Sequence, residues 1–223
     1  MLDILYEDDF LIFVNKPPDI VVQRGYDLEE PILLDRVMEH AGHVFLMQRL
    51  DRGTSGVMFF SKRADINANL TRQFERKNIM KRYVALTEGC LAERQTIDAP
   101  LARIGPISFG VRDGGKRAVT EVEPIAARAG GSLLAIVLRT GRTHQIRVHL
   151  AAIGHPLVGD WLYGSRNAAR PMLHAAELAM RHPATGDRLL VSAPVPPDFA
   201  EEAGKRALGE SLFPDGSPSK QAS

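Results

Sequence analysis

The chain has 223 residues, of which 44% are hydrophobic and 25% charged, with a formal net charge of +1. This is ordinary globular composition, and the single cysteine, Cys90, excludes an internal disulfide and a multi-cysteine zinc site. No apolar run approaches the roughly 20 residues of a membrane helix, and the acidic N-terminus, MLDILYEDDF, lacks the pattern of a signal peptide. We therefore expect a cytoplasmic protein, with a monomer as the default.

The first third of the chain alternates short apolar segments with turn signals. Residues 11–15 predict a strand that ends at two prolines. Residues 31–41 predict a helix with proline at its first position and Gly42 as its stop. Residues 57–60 predict a buried strand that follows a turn at residues 55–56.

The middle of the chain predicts one amphipathic helix and several strands. Residues 64–77 place apolar side chains four apart, with Arg72, Arg76 and Lys77 on the opposite face. A glycine-rich stretch over residues 105–115 predicts a hairpin or a mobile loop. The strand candidates in this region are residues 83–87, 118–122 and 133–139.

The last third predicts a helix from Thr143 to Gly154. Strands are expected over residues 172–180 and 188–193, after which three prolines should break regular structure. From about Gly204 the polar tail predicts disorder. Strands outnumber helices and short turns join several of them, which indicates an α+β fold with a mixed, mainly antiparallel central sheet and flanking helices and loops.

Charge is strongly segregated along the chain. Residues 1–48 contain 3 basic and 10 acidic side chains, whereas residues 49–82 contain 9 basic and 3 acidic ones. Residues 139–149 add three arginines and no acid. A polyanion needs only one basic face, although charge runs are often no more than solvated surfaces.

Several familiar catalytic motifs are absent. The sequence contains neither a dinucleotide-binding nor a phosphate-loop glycine motif, so no nucleotide cofactor is indicated. Ser55 lies directly before a glycine and does not fit the nucleophile elbow of hydrolases. His144, His149 and His155 lack the four-residue spacing of a helical metal site, so they are interpreted as packing or hydrogen-bonding residues and no metal is expected.

Two polar blocks remain as candidates for chemistry. RLDRGTSG, residues 49–56, places Asp51 between arginines, and their charge favours the ionised carboxylate. TGRTHQIRVH, residues 140–149, enters the predicted helix from a glycine turn, where a helix N-terminus and Arg142 could attract phosphate. The alternatives are a turn-capping Asp51 and an ordinary basic surface.

The order of these blocks resembles the RluA family of RNA pseudouridine synthases. The similarity includes RLDRGTSG and extends to four further segments between about residues 4 and 199. These are DFLIFVNKP at 9–17, KRYVA at 81–85, TGRTHQIRVHLAAIGHPLVGDWLYG at 140–164, and LHA at 173–175 with AP at 193–194. We expect no additional N-terminal RNA-binding domain of the kind that many relatives carry, which leaves the choice of target RNA open.

The resemblance implies a catalytic domain over residues 1–203, with two lobes around a cleft, followed by a disordered tail at 204–223. It implies an enzyme that converts a uridine of ribosomal or transfer RNA to pseudouridine without a cofactor. Asp51 matches the family's catalytic aspartate, expected to be buried and charge-paired. The implied substrate-binding residues are Arg49, which fills the space of the flipped base, Tyr83 against the uracil, Arg147 paired with Asp51, and Leu173 in the pocket wall.

Two other functions remain open at this point. One is an RNA-binding protein of the same fold that has lost activity, against which the intact RLD segment, Tyr83 and Arg147 argue. The other is an unrelated hydrolase that uses Asp51 with a second carboxylate, as glycosidases do.

Overall fold

The computed structural model describes residues 1–24 and 32–209. The helices are α1 (Leu33–Ala41), α2 (Asn67–Glu75), α3 (Gln145–Ala152) and α4 (Pro197–Lys205). The strands are β1 (Ile4–Glu7), β2 (Leu11–Lys16), β3 (Phe45–Leu46), β4 (Ser55–Ser61), β5 (Met80–Thr87), β6 (Gln95–Asp98), β7 (Leu101–Arg103), β8 (Phe109–Val111), β9 (Val119–Arg128), β10 (Gly131–Leu138), β11 (Leu173–Arg181) and β12 (Arg188–Ser192).

The chain divides into two compact units, each made of two separate segments. Unit 1 comprises residues 1–81 and 175–194, and unit 2 comprises residues 82–174 together with the chain from 195 onward. Both units combine antiparallel strands with helices. The predicted α+β class with a mainly antiparallel sheet is therefore confirmed.

Unit 1 is built on the strand order β1-β2-β4, in which both pairs are antiparallel. Every residue of β4 is buried, which explains its continuous apolar run. α1 covers this sheet with Leu33 and Val37, and both side chains join a core that includes Ile12, Met58 and Phe60. Gly42 ends α1 with a φ of 74°, as the sequence predicts.

Unit 2 contains the antiparallel order β5-β10-β9-β6 and the two-stranded hairpin β7-β8. The hairpin falls where the glycine-rich stretch predicts one. α4 packs on the core of unit 2. Phe199 and Ala203 of this helix, with Leu208 after it, contact Leu86 and Leu133. The structure therefore stays ordered beyond residue 204, where the sequence predicts that the tail begins.

Three local predictions need correction. Residues 55–56 are the start of β4 rather than a turn before it. Pro197 does not break regular structure but occupies the first turn of α4, where a missing N–H costs nothing. α3 begins at Gln145, two residues after the predicted start, because His144 takes a left-handed conformation with φ of 55°. The predicted helix start at Pro31 and the tail from residue 210 lie outside the described residues.

The longest helices in the described chain have nine residues, so none of them could span a membrane.

Candidate active site

Asp51 lies in the connection between β3 and β4. Its carbonyl oxygen accepts a hydrogen bond from the N–H of Thr54 at 3.1 Å, which closes a tight turn immediately before β4 begins. Arg49 and Arg52 are exposed, whereas Asp51 is partly buried rather than fully buried as expected. The carboxylate therefore stands on a short turn that is anchored to the most buried strand of unit 1.

Lys16 holds this turn in place through hydrogen bonds. Its side chain is fully buried at the end of β2, and its ammonium donates to the carbonyl oxygens of Pro17 (2.9 Å), Ile20 (3.0 Å) and Arg52 (3.0 Å). A buried ammonium is tolerated only where acceptors replace its water. Lys16 stands in the DFLIFVNKP segment, but its buried role was not predicted from the sequence.

Gly56 fixes the other end of the RLDRGTSG segment. Its φ is 111°, and a Cβ at this position would lie 2.2 Å from the carbonyl oxygen of Ala175 in β11. No other residue fits there without movement of the backbone. The glycine thus allows β4 to approach β11 closely at the point where the Asp51 turn ends.

Two of the predicted substrate-binding residues lie on strands of unit 2. Tyr83 lies in β5 opposite Ile136 of β10 and is 7% exposed. Leu173 is the first residue of β11 and is 4% exposed. Both are largely removed from solvent.

Arg147 is buried in α3 and forms a two-point ion pair with Asp160. Its Nε donates to one carboxylate oxygen at 2.7 Å and its Nη2 donates to the other at 2.8 Å. Asp160 is fully buried, and the guanidinium carbon also lies 5.0 Å from the ring centroid of Tyr163. This geometry orients the guanidinium firmly.

A second contact connects the two ends of residues 140–164. The phenol oxygen of Tyr163 lies 2.8 Å from Nδ1 of His144 and accepts a hydrogen bond from the N–H of Phe109 at 3.0 Å. Because Phe109 belongs to β8, this contact also joins the hairpin to the segment that follows α3. Residues 140–164, which the sequence analysis treats as one block, are therefore tied together at both ends.

The predicted structural roles of the three histidines are confirmed. His144 bonds Tyr163 as described, and the ring of His149 lies 2.8 Å from the Thr120 hydroxyl and 3.0 Å from the Ala99 carbonyl oxygen. His155 lies 3.0 Å from the carbonyl oxygen of Glu88. Burial lowers the pKa of His149, which favours the neutral ring. Among residues 1–24 and 32–209, no cluster of three or more His, Cys, Asp or Glu side chains is placed to hold a metal ion.

The predicted site residues divide between the two units. Arg49 and Asp51 belong to unit 1, and Tyr83, Arg147 and Leu173 belong to unit 2. The ion pair between Arg147 and Asp160 is a contact that the sequence analysis missed, although Asp160 stands within the 140–164 block. The pairing of Arg147 with Asp51 remains a prediction.

Comparison with known proteins identifies the family of the chain. Residues 10–152 match the family described as RNA pseudouridylate synthase, a range that contains Asp51, Tyr83 and Arg147. An uncharacterised RNA pseudouridine synthase, YhcT of Bacillus subtilis, is 39% identical over 211 residues, which cover 89% of this chain and 70% of that protein. Ribosomal large subunit pseudouridine synthase D of Haemophilus influenzae is 35% identical over 224 residues, which cover 90% and 69%.

A solved structure gives the same result. Human RNA pseudouridylate synthase domain containing 1 superposes with a TM-score of 0.74 at 26% identity, covering 87% of this chain and 83% of that one. The resemblance to the RluA family is thereby confirmed. By its sequence, its fold and the Asp51 segment, the chain belongs to the RNA pseudouridylate synthase family.

Proposed function

We propose that the protein isomerises a specific uridine of structured ribosomal RNA to pseudouridine, with Asp51 as its catalytic residue. Membership of the family supports the reaction, and the name of the Haemophilus influenzae relative supports the large ribosomal subunit as the source of the substrate. The observation that carries the assignment is the RLDRGTSG turn, which presents Asp51 while Lys16 and Gly56 hold the backbone on either side of it. A transfer RNA substrate is the second candidate.

The reaction rearranges bonds without a net change in composition. The N1–C1′ bond of the uridine breaks, the uracil turns, C5 bonds to C1′, and the proton of C5 is lost while N1 gains one. Substrate and product are therefore isomers, and the chemistry requires neither oxidation nor an external group donor. The target base must first leave its stack, at a cost of a few kcal/mol that contacts with the protein offset.

Asp51 would act on the sugar or the base as nucleophile, or on the sugar as base. Arg147 would orient this carboxylate. The ion pair with Asp160 supports this role, because it fixes the plane of the guanidinium through Nε and Nη2 and thereby also fixes the direction in which Nη1 donates.

The remaining roles concern the flipped nucleotide. Tyr83 would pack against the uracil and Leu173 would form an apolar wall of the same pocket. Arg49 would fill the space that the base vacates, and its exposure suits a side chain that enters the RNA. The protein would act as a monomer in the cytoplasm and without a nucleotide cofactor.

A hydrolase with two carboxylates is less well supported. Such an enzyme needs a second carboxyl group that can carry a proton to the leaving group. Among the described residues of unit 2, Asp160 is the fully buried acid, but Arg147 occupies both of its oxygens. With both oxygens engaged, neither is placed to protonate a leaving group.

Tritium release tests the proposed reaction. RNA labelled at uracil C5, transcribed from ribosomal and transfer RNA genes, is incubated with the protein without metal or nucleotide. Wild type should release tritium, and Asp51→Asn should reduce the rate by at least about 10³-fold, since removing a covalent catalyst costs several orders of magnitude. The matched control is Asp35→Asn, which removes an exposed acid of the same unit and should leave the rate unchanged.

Two results would contradict the assignment. Release by Asp51→Asn at the wild-type rate would remove Asp51 from catalysis. Tight binding by wild type without release, across both classes of RNA, would favour an inactive RNA-binding protein.

A further inference from the structure

A polar cavity of about 390 Å³ opens beside α2 in unit 1. Its lining contains two arginines one helical turn apart and three side-chain amides, and no apolar side chain. These residues are Asn69, Arg72, Gln73, Arg76 and Asn78. The guanidiniums and the amides of Asn69 and Asn78 supply hydrogen-bond donors, so the cavity suits an anionic, strongly hydrogen-bonding ligand rather than an apolar one.

The floor of the cavity is rigid. Gln73 is 8% exposed, and its amide donates to Asn69 Oδ1 at 2.9 Å and to the carbonyl oxygen of Arg181 at 2.8 Å. Its own oxygen accepts the N–H of Arg181 at 3.0 Å. Asn69 donates in turn to the carbonyl oxygen of Pro183 at 3.3 Å. α2 is thereby pinned to the end of β11.

The helix is fixed from its other face as well. Leu70 is fully buried, and the ring of Phe74 stacks on Phe59 of β4 with centroids 6.1 Å apart and planes 6° from parallel. The positions of the two arginine Cα atoms are therefore set before any ligand arrives, which lowers the entropy cost of binding.

Arg72 and Arg76 project from this rigid base and are exposed. Over the described part of the chain neither of them forms an ion pair with an acid. Two other surface arginines of unit 1 are neutralised locally: Arg24 pairs with Asp35 and Arg63 with Asp65, each at 2.7 Å. The cavity thus concentrates positive charge that the protein itself does not compensate.

We infer that this cavity binds the phosphodiester backbone of the substrate RNA, at a position separate from the uridine being modified. The inference rests on the proposed function for the identity of the RNA. Each guanidinium can donate two parallel hydrogen bonds to a phosphate, and the amides of Asn69 and Asn78 can reach phosphate or ribose oxygens. Such contacts position the RNA without reading its sequence.

The position of the cavity on α2 shows which groups would attract the phosphate. It lies along the C-terminal half of α2, where the helix dipole disfavours an anion. The attraction must therefore come from the two arginines, and neutralising both should abolish the contact.

The test is the salt dependence of RNA binding by the double variant Arg72→Gln, Arg76→Gln. With a fluorescein-labelled RNA hairpin, the slope of log K against log salt should become shallower by about 1.4 to 1.8, and Kd at low salt should rise roughly tenfold. The control is Arg24→Gln, Arg63→Gln, which removes the same charge from the same unit at arginines already paired with acids. The control should keep the wild-type slope.

Each outcome has a defined meaning. An unchanged slope in the cavity variant, or an equal loss in the control, overturns the inference, and tritium release by wild type then shows that the proposed reaction still stands. A shallower slope together with no release from any RNA would keep the binding site and reject the reaction. Polyglutamate that competes as well as unlabelled RNA of equal charge would indicate an acidic protein partner and overturn the RNA assignment. Unchanged thermal unfolding of the variant excludes misfolding.

Discussion

Replacing Gly56 by alanine should destabilise unit 1 through a clash with a defined atom. A Cβ at Gly56 would lie 2.2 Å from the carbonyl oxygen of Ala175, and ordinary contact begins at 3.4 Å, so one strand must move by about 1.2 Å. The left-handed φ adds about 1–2 kcal/mol, and overpacking against backbone adds about 1–3 kcal/mol. We expect the free energy of unfolding to fall by about 2–5 kcal/mol.

Gly42→Ala separates the two contributions. Gly42 has a φ of 74°, but no atom lies within 4 Å of the place that an alanine Cβ would take, so this variant should show the backbone cost alone. Urea unfolding followed by circular dichroism measures both variants, and Gly56→Ala should be the less stable by at least about 1 kcal/mol. If the two variants lose equal stability, the close approach of Ala175 does not explain why position 56 is glycine.

Two further predictions concern buried polar groups of unit 2. Asp160→Asn should lower the free energy of unfolding by about 3–5 kcal/mol, because it breaks a two-point ion pair between two buried groups. In urea unfolding, Asp98→Asn, which breaks an exposed pair with Arg117, should be indistinguishable from wild type. An equally small effect of Asp160→Asn would contradict this expectation. Burial holds the pKa of His149 below its unfolded value of about 6.5, so the neutral ring stabilises the fold above that pH and the stabilisation is lost as pH falls below it. Melting temperatures between pH 7.5 and 5 should therefore fall less steeply for His149→Gln than for wild type, and parallel curves would assign the pH dependence to other groups.

The regular elements were largely predictable from the sequence because their periodicity reflects burial. The continuous apolar run of β4 and the four-residue spacing in α2 correspond to buried faces in the structure. Helix α4 was missed because its prolines were interpreted as breakers, although a proline at the first helical position is compatible with a helix. Local sequence alone does not distinguish these two uses of proline.

The site was predictable only as far as its motifs extend. Asp51, Tyr83 and Arg147 stand in segments that resemble the family. The supporting contacts join residues distant in sequence or lack a local signal: Lys16 reaches the carbonyl of Arg52, and Asp160 is an acid whose burial only the folded chain reveals. A lysine at the end of a strand that begins with four buried apolar residues is the one feature that could have indicated a buried role.

The division of each unit into two segments has a consequence for synthesis on the ribosome. Unit 1 lacks β11 and β12 until residues 175–194 have been made, and 93 residues of unit 2 are translated in between. At about 5–20 residues per second, this interval lasts roughly 5–20 s. During that time the edge of β4 that will pair with β11 exposes unpaired backbone N–H and C=O groups, to which a neighbouring nascent chain could bind.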